Sequence, residues 1–84
     1  MYELKFKKKA IKALTTINDP YYSTIIQAIN GLVENPRPFL YKKLTGRNGF
    51  RIRVGSYRII YDIFETSLVI EIVNVGSRGN VYED

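Results

Sequence analysis

The chain has 84 residues, with 13 Lys plus Arg against 8 Asp plus Glu, a formal charge of +5, and no Cys, His or Trp. That composition excludes disulfides, thiol nucleophiles and thiolate metal sites, removes the commonest general acid–base side chain, and would leave a transition metal only carboxylates. No apolar run approaches the ~18 residues a membrane span needs and no apolar signal core follows the basic N-terminus, so one soluble, cytoplasmic domain over residues 1–84 is expected.

Tyr2, Leu4 and Phe6 alternate with Glu3, Lys5 and Lys7, the period of a half-buried strand. Ala10, Ile11, Leu14 and Ile17 recur at helical spacing and predict a first helix from about Lys8 to Ile17. Asn18-Asp19-Pro20 separates it from a second helix, with Asp19 as N-cap and Pro20 in the first helical position. Tyr22, Ile25, Ile26, Ile29, Leu32 and Val33 give that helix one apolar stripe. Asn35-Pro36 ends it, because proline pushes the residue before it out of the helical region. The two helices make a hairpin with a tight connection.

Residues 36–47 read as a basic loop without a period. Beyond it the period becomes two: Phe50, Ile52 and Val54 alternate with Arg51 and Arg53, and Gly55-Ser56 is a two-residue hairpin turn. Tyr57 to Phe64 is apolar at both phases, as a central strand should be. Glu65-Thr66-Ser67 turns the chain into a last strand, Leu68 to Val75, which Gly76 breaks; the tail to Asp84 is short and polar. The order β-α-α-β-β-β describes an α+β domain, with the helical hairpin packed on one face of a mainly antiparallel sheet.

Positive charge falls in two blocks. Lys5, Lys7, Lys8, Lys9 and Lys12 crowd the N-terminus, and Arg37, Lys42, Lys43, Arg47, Arg51, Arg53 and Arg58 follow one another with no acid between them. Like charges at that density repel unless an anion lies near, and nucleic acid is the usual partner of such a stripe. For the N-terminal lysines a plain solvated surface is an equal reading.

With Gly55-Ser56 as the turn, Val54 faces Tyr57, Arg53 faces Arg58 and Arg51 faces Ile60. Three guanidinium groups then share one sheet face, while Phe50, Ile52, Val54, Tyr57, Ile59 and Tyr61 turn to the other and receive the helices. Opposed like charges are destabilising. Either Asp62 and Glu71 compensate from within, or an external phosphate does, which guanidinium forks match bidentately. Asp62 stands four residues from Arg58 along the strand, which favours the external anion. Lys42, Lys43 and Arg47 are expected to track a sugar–phosphate backbone. If the tail folds back, Arg78 adds a fourth cation and Tyr82 a ring able to stack on an unpaired base.

Lys43-Leu44-Thr45-Gly46, the run from Phe50 to Tyr61, Val75-Gly76-Ser77-Arg78 and Tyr82 together resemble the RelE branch of the RelE/ParE toxin superfamily, over nearly the whole chain. The most specific part is Tyr57-Arg58-Ile59-Ile60-Tyr61 with the Val75 to Arg78 end. The resemblance implies a RelE-like, microbial ribonuclease-type fold and the toxin of a type II toxin–antitoxin system. Such a toxin is a ribosome-dependent endoribonuclease (an mRNA interferase) that cuts message in the decoding site and so inhibits translation. The 2′-hydroxyl attacks the adjacent phosphate, leaving a 2′,3′-cyclic phosphate and a 5′-hydroxyl, with neither metal nor cofactor.

Carried over, the catalytic roles fall on Arg51, Arg53, Arg58, Arg78 and Tyr82. The implied partners are the ribosome, mRNA and a cognate antitoxin, with operator DNA touched only through the antitoxin complex. Well-studied members carry lysines at the positions of Arg51 and Arg53. Arginine keeps its proton far above neutrality, so proton transfer would pass to Tyr82, Arg78 or groups of the ribosome. The chemistry of the residues agrees with the rest: preorganised cations stabilise a dianionic phosphorane, and DNA lacks the nucleophilic 2′-hydroxyl. Two other functions fit a chain of this kind. One is a ParE-like inhibitor of DNA gyrase, whose members usually lack the arginine and tyrosine set. The other is a catalytically silent RNA- or ribosome-binding module of the same fold.

Overall fold

Alternating side chains build a five-stranded sheet in the order β1-β5-β4-β3-β2, in a computed structural model that describes residues 1–77. The strands are β1 (Glu3–Phe6), β2 (Lys42–Lys43), β3 (Phe50–Val54), β4 (Tyr57–Phe64) and β5 (Val69–Ser77). Helices α1 (Lys8–Leu14) and α2 (Tyr21–Leu32) lie between β1 and β2 in sequence. The turns joining β3, β4 and β5 are short, so these strands run antiparallel, as β2 does against β3. β1 is parallel to β5, an arrangement that needs a long crossover, which the helices and β2–β4 provide.

The helices cover one face. Ile52, Ile59, Tyr61, Ile70, Ile72 and Val75 from the sheet meet Ala10, Leu14, Ile17, Ile25, Ile29 and Leu32 in one core. Burying each larger apolar side chain there stabilises by about 1.5–3 kcal/mol. β4 is buried on both phases, as expected of the strand at the centre: Ile59, Ile60 and Tyr61 are all 1% exposed or less. Ile60 points away from the helices, into a small second cluster with Leu44 and Val73. The Tyr61 hydroxyl donates a 2.6 Å hydrogen bond to the Pro36 carbonyl, tying the segment after α2 to the middle of the sheet. Burial pushes that phenol far above its ordinary pKa.

Several element ends differ from expectation, each for a local reason. α1 stops at Leu14, where Thr15 and Thr16 turn their hydroxyls back onto the Lys12 and Ala13 carbonyls at 2.6 and 2.7 Å. The chain then tightens through bonds from the Thr16 and Ile17 amides to residues three back, so Ile17 reaches the core without belonging to the helix. α2 begins at Tyr21 and Pro20 itself holds the cap position. Asp19 acts from one residue further out, accepting bonds from the Ser23 amide at 2.9 Å and the Ser23 hydroxyl at 2.5 Å.

Residues 36–47 are not all loop, because Lys42–Lys43 form the edge strand β2; the element order gains a strand and becomes β-α-α-β-β-β-β. Gly76 does not break the last strand, which continues to Ser77 with Gly76 opposite Arg58. The β4–β5 ladder slips between Ile60 and Tyr61: Ile60 pairs with Asn74, but Tyr61 pairs with Ile72, leaving Val73 as an extra residue in a β-bulge. Among the described residues no helix is long and apolar enough to cross a membrane.

Candidate nucleic-acid interface

The register of β3 against β4 is the one the Gly55-Ser56 turn dictates: Val54 with Tyr57, Arg53 with Arg58, Arg51 with Ile60. Gly55 takes a φ of 60°, which a residue without Cβ adopts freely. Directly paired residues share a face, so the sheet surface away from the helices is built of rows. Lys42, Arg51, Ile60 and Asn74 form one row; Arg53, Arg58 and Gly76 form the next. Opposed Cβ atoms lie about 4.5–5.5 Å apart, and residues two along a strand about 7 Å apart. Arg51, Arg53, Arg58 and Lys42 therefore occupy one patch a single phosphodiester unit could span. Arg53 is exposed, Arg51 and Arg58 are half-buried, and the Nε of Arg58 is out of solvent. Gly76 contributes no side chain to the Arg58 row.

The carboxylates cluster elsewhere. Asp62 is paired with Glu71 across β4 and β5, and Glu71 with Lys5 across β5 and β1. Asp62's pKa is raised, first by burial and then by the Glu71 charge, while Arg47 and Lys7 pull it back. The Ile60 row, with Leu44 packed on Ile60, separates this cluster from the Arg53–Arg58 row. Gly49 closes the loop over Asp62: its φ is 122°, and a Cβ there would lie 2.9 Å from Asp62 Oδ1 and 3.0 Å from Leu44 Cδ1. Among the described residues no group of three or more His, Cys, Asp or Glu could hold a metal ion.

Of the residues singled out in the sequence, Arg51, Arg53, Arg58 and Lys42 are brought together. Lys43 pairs with Phe50 and belongs by alternation to the other face, at the sheet edge. Arg47 lies beside Asp62 in the loop before β3. Arg37 leaves the basic block, since its guanidinium pairs with Glu65 at 2.5 Å and lies 5.7 Å from the centre of the Phe50 ring. Arg78 and Tyr82 lie outside the described residues.

The patch has a wall that sequence reasoning missed. Phe39 and Leu40, with Lys42, Arg51 and Arg53, line a cleft of about 450 Å³. The clue in the sequence was two adjacent large apolar residues after a proline, inside a stretch otherwise basic. What the patch can do chemically is bind and stabilise anionic oxygen. Guanidinium groups stay charged at every physiological pH and offer planar pairs of donors.

The chain matches the family model described as the ParE toxin of type II toxin–antitoxin system, parDE, over residues 4–82. Among solved structures it is similar to a chain of the archaeal RelE–RelB complex from Pyrococcus horikoshii OT3, with 29% identity and a TM-score of 0.82 over 95% of this chain and 98% of that one. It is also similar to a chain of the intact E. coli RelBE toxin–antitoxin complex, with 23% identity and a TM-score of 0.82 over 95% and 100% of the two chains. The RelBE2 toxin–antitoxin complex from Mycobacterium tuberculosis gives 24% identity and a TM-score of 0.77 over 92% and 98%. The last two likenesses establish the fold, two helices on a mostly antiparallel sheet. No curated protein is close enough in sequence to count as a match.

Proposed function

Because the chain belongs to the ParE toxin family of type II toxin–antitoxin systems, within the RelE/ParE superfamily, we propose that it is a ribosome-dependent endoribonuclease that cuts messenger RNA in the decoding site. The observation that carries this reading is the row of Arg53 against Arg58, with Arg51 and Lys42 in the next row of the same face. In the reaction the 2′-oxygen bonds to the adjacent phosphorus and the bond from phosphorus to the 5′-oxygen breaks. The proton leaving the 2′-hydroxyl goes to a base, and the departing 5′-oxygen takes one up. Arg51, Arg53 and Arg58 stabilise the charge that builds on the non-bridging oxygens, as preorganised cations do. They hold their protons too firmly to transfer them; Arg78, an arginine too, adds a further cation, and Tyr82 or ribosomal groups carry the transfers. Lys42 holds a neighbouring phosphate, and Arg47, in the loop before β3, follows the flanking backbone.

The RelE chains of the solved complexes are seen with antitoxins. For this chain too the partner would be a cognate antitoxin, reaching operator DNA only as a complex. The test is a primer-extension map of translated message on purified ribosomes, with the wild type, Arg58→Ala and Arg78→Ala. Cuts by the wild type that fall about 10²–10³-fold in rate with either variant are expected, the usual loss on removing one preorganised donor. Intact message with the wild type at every codon overturns the reading.

The matching family model is that of a ParE toxin, which favours a second reading, a ParE-like inhibitor of DNA gyrase. A supercoiling assay blocked by the purified chain, with message left intact, would select it.

A further inference from the structure

Pro38, Phe39, Leu40 and Tyr41 form a turn closed by the Tyr41 amide on the Pro38 carbonyl at 2.9 Å. Three of its features conflict with stability. Phe39 is 92% exposed and Leu40 73%, so two large neighbouring apolar side chains stand in water. Leu40 holds a φ of 73°, a left-handed conformation that turns of this kind normally give to glycine and that strains a leucine. The turn is nonetheless firmly placed. On one side Arg37 is fixed by Glu65 and the Phe50 ring, and on the other the Tyr41 ring packs 5.9 Å from Phe50. Strain and exposed apolar surface on an anchored segment mark a contact made with something outside the chain.

The cleft beside the turn says what that is. Phe39 and Leu40 form its apolar side; Lys42, Arg51 and Arg53 form its cationic side. A flat ring joined to a phosphate is complementary to both at once, and a nucleotide of single-stranded RNA presents both. A paired base hides its faces in the stack, so the cleft selects an unpaired strand. We propose that Phe39 is a stacking platform for an unpaired base of the RNA, next to a phosphate held by Arg51, Arg53 and Lys42, with Leu40 as the wall of the same subsite. This deepens the nuclease reading and rests on it for the class of ligand.

The test titrates the purified full chain with a short fluorescein-labelled single-stranded ribo-oligonucleotide, and with copies carrying one abasic position in turn. Phe39→Ala should weaken binding about five- to a hundredfold, the range of one base–aromatic stack. The slope of log affinity against log salt should stay unchanged, because no charge is lost. Phe39→Trp should keep the affinity. An abasic copy should lose the same factor with the wild type and nothing with Phe39→Ala. Leu40→Gly suits the left-handed backbone; it should melt no lower than the wild type yet bind RNA more weakly, which separates contact from folding. Equal RNA affinity of Phe39→Ala and the wild type overturns the proposal. So does a Phe39→Ala variant that binds RNA normally but loses the cognate antitoxin, which would make the turn a protein interface. Cutting of message on ribosomes is scored separately. Wild type that fails to cut while showing base-dependent, Phe39-dependent affinity removes the nuclease reading alone. Wild type that cuts, with RNA affinity unmoved in Phe39→Ala, removes the platform alone.

Discussion

Asp62 faces Glu71 directly across β4 and β5, two carboxylates opposed on neighbouring strands of the central ladder. Burial and the Glu71 charge raise the Asp62 pKa above its ordinary 3.8. The folded state therefore holds this proton at a pH where the unfolded chain has released it. The contribution of Asp62 to stability falls as pH climbs from about 3.8 through the raised value, and that loss is complete above it. Asp62→Asn should raise the melting temperature at neutral pH and flatten the decline between acid and neutral conditions. A series of thermal melts against pH checks both, and an unchanged profile would contradict the pairing.

Two glycines should respond to alanine with opposite signs. Gly31 sits within α2 with nothing inside 4 Å of an added Cβ, so Gly31→Ala should stabilise by about 0.5–1 kcal/mol. Gly49, at a φ of 122° against Asp62 and Leu44, should lose about 1–3 kcal/mol on the same change. Urea denaturation followed by circular dichroism measures the two side by side.

Removing one hydroxyl should loosen the join between the sheet and the segment after α2. Tyr61→Phe deletes the donor to the Pro36 carbonyl in a fully buried place and should cost about 1–3 kcal/mol, with the fold kept. A loss below about 0.5 kcal/mol would mean that water replaces the donor.

Charge removal on the arginine face should trade RNA affinity against strand repulsion. Arg53→Gln relieves the opposition to Arg58, so it should melt no lower than the wild type. Its single-stranded RNA affinity should drop, and the salt slope should shrink by about 0.7, the value for one lost phosphate contact. Lys42→Gln should shrink the slope alike. A slope unmoved in both variants would take these side chains out of the RNA path.

Much of this was legible in the sequence because alternation and a two-residue turn leave little freedom. Once Gly55-Ser56 is the turn, the pairing of Arg53 with Arg58 is forced, and so is the burial of Ile52, Ile59 and Tyr61 on the helix side. β2 was invisible, since two lysines at a sheet edge have no period to detect. The end of α1 was misplaced because Ile17 keeps helical spacing after the helix has given way to tighter turns. Gly76 reads as a breaker from its identity, yet in the strand it simply faces Arg58. The Phe39–Leu40 wall escaped because its meaning lies in the backbone twist at Leu40 and in strands that come later in the chain.

The extra residue at Val73 works as a phase shifter for the end of β5. Counting by twos from Ile70 and Ile72 would send Asn74 and Gly76 toward the helices and Val75 out among the arginines. The inserted residue reverses this, so Val75 opposes Ile59 and Gly76 opposes Arg58. Deleting Val73 alone would thus leave Asn74, Val75 and Gly76 on the faces they hold now, in an unbroken ladder, and remove only the branch packed beside Leu44 and Ile60. Straightening the bulge with Val73 kept in the ladder is what would draw Val75 into the cationic surface and the bare glycine into the interior.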